Sequence, residues 1–200
     1  MDYRLESTLS VTGPFPGQSR ENDGRLIDAV MDGDRAAFTS LFEFHNERIF
    51  LYCARMLGDA ARGEDVAQEV WVRLIRLARR RRKRGIHHPL PFLYRIARNL
   101  CLNALRDGKR TEVRDHQELE SLQAERVPSG GGREEILRHA LSLIPLKYRE
   151  VLVLNAWSGY DFAEIGEMLG ISKEAAWKRA SRGRRLLKEM IEREEKGESS

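Results

Sequence analysis

From residue 25 onward the apolar positions recur every three or four residues, and no stretch alternates apolar and polar with period two. That pattern predicts helices and no strands. Phe38, Phe42, His45, Ile49, Tyr52 and Met56 make one buried helical face, with Asp34 as its N-cap. Gly58 to Gly63 reads as a break. A second helix follows in "EDVAQEVWVRLIRLARR" (64–80), with Val66, Val70, Leu74 and Leu77 as its apolar stripe. In "GIHHPLP" (85–91), Gly85, Pro89 and Pro91 interrupt any helix, so a loop is expected, with Pro91 in the first turn of the next helix. That third helix, about 91–107, buries Leu93, Ile96, Ala97, Leu100 and Ala104. Its other side carries Tyr94, Arg95, Arg98, Asn99 and Arg106.

Beyond a polar stretch the period returns in "REEILRHALSLIP" and "LKYREVLVLNAW", followed by a turn at Ser158–Gly159. Asp161 and Glu164 have capping-box spacing. The short helix they open buries Phe162, Ile165, Met168 and Leu169 and ends at Gly170. Ser172 caps the last helix, "KEAAWKRASRGRRLLK". Two short helices joined by Leu-Gly-Ile-Ser form a helix-turn-helix pattern. Ala176, Ala180, Gly183 and Leu187 fall on one seam of the last helix, and three of them are small enough for close packing. Lys173, Trp177, Lys178, Ser181, Arg182 and Arg185 lie on the opposite face, which suits a major groove.

These elements give an all-α chain of two small helical domains joined by a flexible linker, the second containing the helix-turn-helix. Residues 1–24 read as a disordered extension, 25–110 as the first domain and 111–132 as an acidic linker ending in Pro-Ser-Gly-Gly-Gly. The second domain is 133–188, and 189–200 is a charged tail.

Charge sharpens the picture. The chain of 200 residues has a formal net charge of only +4, but residues 71–110 alone carry +12 and residues 171–188 carry +6. An acidic segment separates these two basic foci, an arrangement that fits two contacts with one polyanion, nucleic acid above all. The first focus contains six consecutive basic residues, Arg79, Arg80, Arg81, Arg82, Lys83 and Arg84, followed by His87 and His88. No aliphatic run is long enough to span a bilayer, and no secretory signal opens the chain, so a cytoplasmic protein is expected. Cys53 and Cys101 read as buried free thiols, and no zinc-ligand cluster accompanies them. No metal and no cofactor is expected.

Three segments, "EDVAQEVWVRL" (64–74), "PFLYRIARNLCLNALR" (91–106) and "LIPLKYREVLVLNAWSGYDFAEIGEMLGISKEAAWKRASRGRRLLKE" (143–189), resemble the bacterial RNA polymerase sigma factors of the extracytoplasmic-function group. The resemblance spans both folded units, in the family's order. It implies that Asp65, Gln68 and Glu69 bind core RNA polymerase at the clamp of the largest subunit. It implies the flap of the second-largest subunit as a further contact. It implies a promoter −10 reader built from Arg79, Arg80, Arg81, Arg82, Lys83, Arg84, His87, His88, Tyr94, Arg95, Arg98 and Asn99. A basic track with π-faces captures a single strand, and Asn99 supplies base-edge hydrogen bonds. It implies a −35 reader built from Lys173, Trp177, Lys178, Arg179, Ser181 and Arg182. Promoter DNA and an anti-sigma protein are the other implied partners, and no membrane is. Family members commonly carry Trp at the position of Phe92, whose expected role here is core packing.

Two other readings compete. A helix-turn-helix regulator that does not recruit polymerase leaves the acidic face at 64–69 and the 77–100 stretch without a purpose. A nucleic-acid-processing enzyme needs paired carboxylates, a metal cluster or a phosphate-binding loop, none of which the sequence shows.

Overall fold

A computed structural model describes residues 20–80, 86, 89–115 and 132–195. Among these residues every regular element is helical. The elements are α1 (Arg20–Met31), α2 (Arg35–Leu57), α3 (Ala60–Arg79), α4 (Pro89–Asp115), α5 (Gly132–Leu143), α6 (Leu146–Leu152), α7 (Phe162–Leu169) and α8 (Lys173–Glu195). A π-helical turn, Val153–Trp157, continues α6.

Local chemistry sets the boundaries. The Asp34 carboxylate accepts from the backbone N–H groups of Ala36 and Ala37 and starts α2. Gly58 ends α2 at φ 70°, a left-handed value that glycine adopts without steric cost. Asp59 then accepts from the Arg62 N–H and starts α3. The expected break at Gly58–Gly63 is therefore a tight corner, and Gly63 lies inside α3. A Cβ there would sit 2.5 Å from the Cα of Ala54, so this glycine lets α3 approach the backbone of α2.

In the first unit, α2 packs against α1, α3 and α4 around Leu41, Ile49, Tyr52, Met56, Leu74 and Leu93, all buried. The expected apolar face of α2 holds from His45 to Met56 and fails at its start. Phe42 is exposed and Phe38 half-buried. Both rings lie instead with Trp71 in an aromatic group at the rim, where the Trp71 indole donates to Asn46 Oδ1 at 2.9 Å. Phe92 is half-buried against the core, as its expected packing role requires.

The second unit is built around α8, which packs against α5, α6 and α7. The small-residue seam is in place: Ala176, Ala180 and Leu187 have no exposed surface, and a Cβ on Gly183 would meet Leu152 at 3.0 Å. Asp161 and Glu164 form the full capping box at the start of α7. Gly170 closes α7 at φ 68°, and the Ser172 hydroxyl accepts from the Ala175 N–H to start α8.

Three boundaries differ from the expectation. Residues 20–24, expected to be disordered, begin α1, which buries Ile27, Val30 and Met31. Helix α4 runs from Pro89 to Asp115, because both prolines sit in its first turn where no N–H is needed. Helix α8 continues past residue 188 to Glu195, supported by pairs Arg185–Glu189 and Lys188–Glu192 at one-turn spacing. The remainder of the expected disordered extension, the linker core at 116–131 and the end of the tail lie outside the described residues.

Candidate nucleic-acid interface

Most of the residues expected to read duplex lie on the outward face of α8. Lys173, Trp177, Lys178, Ser181 and Arg182 are exposed, and Trp177 shows 55% of its surface. Arg179 is the exception. It is half-buried and lies close enough to Glu150 for its charge to oppose the rise that burial imposes on that carboxyl. At the N-terminus of α8, backbone N–H and the Ser172 hydroxyl hold the Glu174 carboxyl below its usual range.

On α3, Asp65 and Gln68 are exposed on one face, and Glu69 accepts from Arg76 at 3.2 Å. That pair is solvent-exposed on both sides and does little for stability. It leaves two acidic groups and an amide together on the acidic first half of a helix whose far end is basic.

The expected −10 reader is only partly displayed. Arg79 and Arg80 are exposed at the end of α3, and Asn99 is exposed on α4. Arg81, Arg82, Lys83, Arg84, His87 and His88 lie outside the described residues. Tyr94 departs from the expectation of an outward aromatic: it is 3% exposed. Its ring is wedged edge-on between Tyr52 at 5.0 Å and Tyr160 at 5.6 Å. Burial pushes its phenol up to about 12.

Tyr160 belongs to the second unit, and the two units meet along this line. Arg98 on α4 forms an ion pair with Glu150 on α6. Arg95 donates to the Glu167 carbonyl on α7 at 3.4 Å. Arg55 on α2 lies 5.0 Å over the Trp157 ring. Arg138 on α5 donates to the Gly58 carbonyl at 2.9 Å. Arg149 on α6 is 6% exposed, and its guanidinium donates to the Met56 carbonyl of the first unit at 2.6 Å. The same side chain donates to the Ser142 carbonyl and, at 3.2 Å, to that of Ile144, which ties the α5–α6 corner to α2. Burial opposes its charge and lowers its pKa. Burial likewise raises the Glu150 carboxyl above its ordinary 4.5, with Arg98 and then Arg179 opposing that rise.

Sequence reasoning missed Arg149 and Glu150. In "LKYREVLVL" they read as an ordinary polar step on an amphipathic helix, and only their burial, 6% and 3% exposed, marks them. Buried charges of this kind are rare without a partner. Cys53 and Cys101 are both buried and free, as expected, and a hydrogen bond between the two thiols, then burial, pushes the Cys53 thiol up. Among the described residues no group of three or more His, Cys, Asp or Glu could hold a metal ion, and no helix is long and apolar enough to cross a membrane.

Two helical units, the second carrying a capped helix-turn-helix with an exposed basic face, have the layout of a DNA-binding protein. Comparison with known proteins gives the family. The Sigma-70 region 2 pattern matches residues 41–111, and the Sigma-70, region 4 pattern matches residues 134–187. The RNA polymerase sigma factor CarQ of Myxococcus xanthus is 34% identical over 172 residues, covering 82% of this chain and 95% of that protein. The ECF RNA polymerase sigma factor SigW of Bacillus subtilis is 29% identical over 183 residues, covering 84% and 95% respectively. The chain belongs to the sigma-70 family of RNA polymerase sigma factors, in the extracytoplasmic-function group.

Two solved structures share the fold. The sigma factor RpoE of Bartonella quintana, in complex with the anti-sigma factor NepR, matches at TM-score 0.62 and 19% identity, over 78% of this chain and 96% of that one. CnrH, in complex with the cytosolic domain of CnrY, matches at TM-score 0.59 and 22% identity, over 85% and 97%.

Proposed function

We propose that this chain directs core RNA polymerase to its promoters by reading two DNA elements with two units. It carries no catalytic chemistry of its own. The observation that carries this is the pairing, in one chain, of a capped helix-turn-helix with an open cationic face and a separate basic helix that bears aromatic and amide side chains. Duplex reading and strand capture need those two different surfaces. Lys173, Trp177, Lys178, Ser181 and Arg182 read the −35 element as duplex, with Arg179 at the inner edge of that face.

Arg79 to Arg84 supply the track for the displaced −10 strand, with His87, His88, Arg95 and Arg98 beside it. Asn99 reads a base edge. A base taken from the stack costs a few kcal/mol, which that basic track offsets. Tyr94 stacks on a base only after Tyr160 withdraws.

Asp65, Gln68 and Glu69 form the contact to the polymerase clamp, and the second unit meets the flap. The anti-sigma factor NepR bound to RpoE supports an inhibitor of that class as a partner of this chain too. Work in the cytoplasm follows from those partners.

The test is core binding. Asp65→Lys with Glu69→Lys reverses two charges one turn apart on an exposed face, where neither side chain supports the core. Titration of the double variant against core polymerase should show affinity reduced by at least about tenfold, roughly 1.4 kcal/mol, with an unchanged circular dichroism spectrum. Unaltered core affinity would remove these residues from the contact. Run-off transcription on a pool of random promoters then gives the sequence preferred at each element.

A further inference from the structure

The chain has three tryptophans, and the fold uses two of them. The Trp71 indole donates to Asn46, and its ring packs with Phe38 and Phe42. The Trp157 ring carries Arg55. Trp177 is different. It stands on the second turn of α8 with 55% of its surface exposed, and among the described residues it makes no hydrogen bond and no ring contact. Lys173, one turn before it, and Ser181, one turn after it, continue its row along the helix, with Lys178 and Arg182 beside them. All four are exposed. Ala176 and Ala180 behind them have no exposed surface, so the packing of α8 on its scaffold sets the direction in which the row points.

An indole left in water forfeits the burial its rings would gain, and nothing in the fold recovers it. The cations around Trp177 suit phosphates, which position a helix on a duplex and carry no sequence information. The ring suits something else. An indole has one N–H donor and no acceptor, so it cannot satisfy the amino groups that cytosine and adenine display in the major groove. Its apolar face matches the one apolar group displayed there, the 5-methyl of thymine.

We propose that Trp177 is a specificity-determining residue: its ring packs on the 5-methyl group of a thymine in the −35 duplex and so fixes a T·A pair at that place. This rests on the reading of α8 as the −35 helix, and it gives that helix one base preference. The neighbouring cations supply affinity, and the ring supplies choice. A protein partner seated on the ring is the competing occupant, and such a contact is blind to a methyl group on DNA.

The test uses the full chain bound to core RNA polymerase and a pool of random duplexes, made once with thymine and once with uracil, which lacks only the methyl. The wild type should enrich a T·A pair at one place in the upstream element from the thymine pool and lose that preference in the uracil pool. On the enriched duplex, uracil for that one thymine should weaken binding about fourfold, the equivalent of one buried methyl group. At the same place 5-methylcytosine should bind better than cytosine by a similar factor. Trp177→Ala should bind the thymine and uracil duplexes alike, with an unchanged circular dichroism spectrum, because the side chain supports no packing. Trp177→Phe keeps an apolar ring and should keep part of the difference. Lys178→Gln should weaken both duplexes equally and leave the difference intact.

A uracil penalty that survives in Trp177→Ala would assign the methyl to another side chain and overturn the proposal. So would an enriched element in which no single thymine is methyl-sensitive. An equal loss on both duplexes in Trp177→Ala would overturn it too, by placing the ring on a sugar or on protein. A pool from which the wild type enriches no upstream element would instead remove α8 as a duplex reader, so the two failures are distinguishable.

Discussion

Arg149→Met is the substitution on which the packing of the two units can be weighed. The side chain keeps an unbranched apolar stem and loses the guanidinium, with its charge and its donors. Three carbonyls, of Met56, Ser142 and Ile144, lose the guanidinium. A hydrogen bond to a charged group is worth about 1.5–3 kcal/mol, so the gross loss is on the order of 5–9 kcal/mol. Against this, removing a buried guanidinium removes its own desolvation cost of several kcal/mol. Burial likewise opposes the charge of Arg149 and lowers its pKa. The net expectation is destabilisation by about 2–4 kcal/mol, near the lower end of what breaking a buried charged contact gives.

For a chain of this size each kcal/mol lowers Tm by about 2–4 °C, so Tm should fall by roughly 4–16 °C. Thermal unfolding of the full chain followed by circular dichroism measures it. Arg149→Lys should recover less than half of the loss, because one ammonium cannot fork across carbonyls in two units. A Tm within about 2 °C of wild type for Arg149→Met would refute the reasoning, since that is less than one kcal/mol.

Gly63→Ala should destabilise the first unit by about 1–3 kcal/mol, the usual cost of forcing an extra methyl into a packed contact. The Cβ would lie 2.5 Å from a backbone atom that cannot swing aside, and urea unfolding should show the loss, whereas helix propensity alone predicts a gain. Glu150 gives a pH signature. Its carboxyl is raised above 4.5 in the packed state, so the packed state binds the proton more tightly than the unfolded chain does. Its contribution to stability is therefore fully present below pH 4.5 and declines as pH rises through the raised value. The Tm difference between wild type and Glu150→Gln should shift against the wild type over that window, and a shift in its favour would show that Arg98 outweighs burial.

Helices, caps and the helix-turn-helix were legible in the sequence because each has a local signature. Asp34, Asp161, Glu164, Gly170 and Ser172 act within three or four residues of themselves, and all five do what their spacing predicts. The seam of Ala176, Ala180 and Gly183 was legible for the same reason. Tyr94 was not. Its position on α4 is one residue off the apolar stripe, and a tyrosine there reads equally as an outward stacking platform. It is buried because Tyr52, about forty positions earlier, and Tyr160, more than sixty later, close on it, and no periodicity within α4 reports that. Arg149 and Glu150 fail to announce themselves for a related reason: a charged pair on an amphipathic helix looks solvated until a second unit arrives. Gly63 was read as a breaker because glycine is ambiguous between a turn and a close approach. The distance to Ala54 decides it.

The reach of Arg149 across both units has a consequence for cooperativity. One guanidinium holds the end of α2 and the α5–α6 corner together, so neither can open without stranding a buried charge. Local openings that would otherwise belong to one unit are thereby coupled to the other, and amide hydrogen exchange on the two sides of that corner should slow or quicken together.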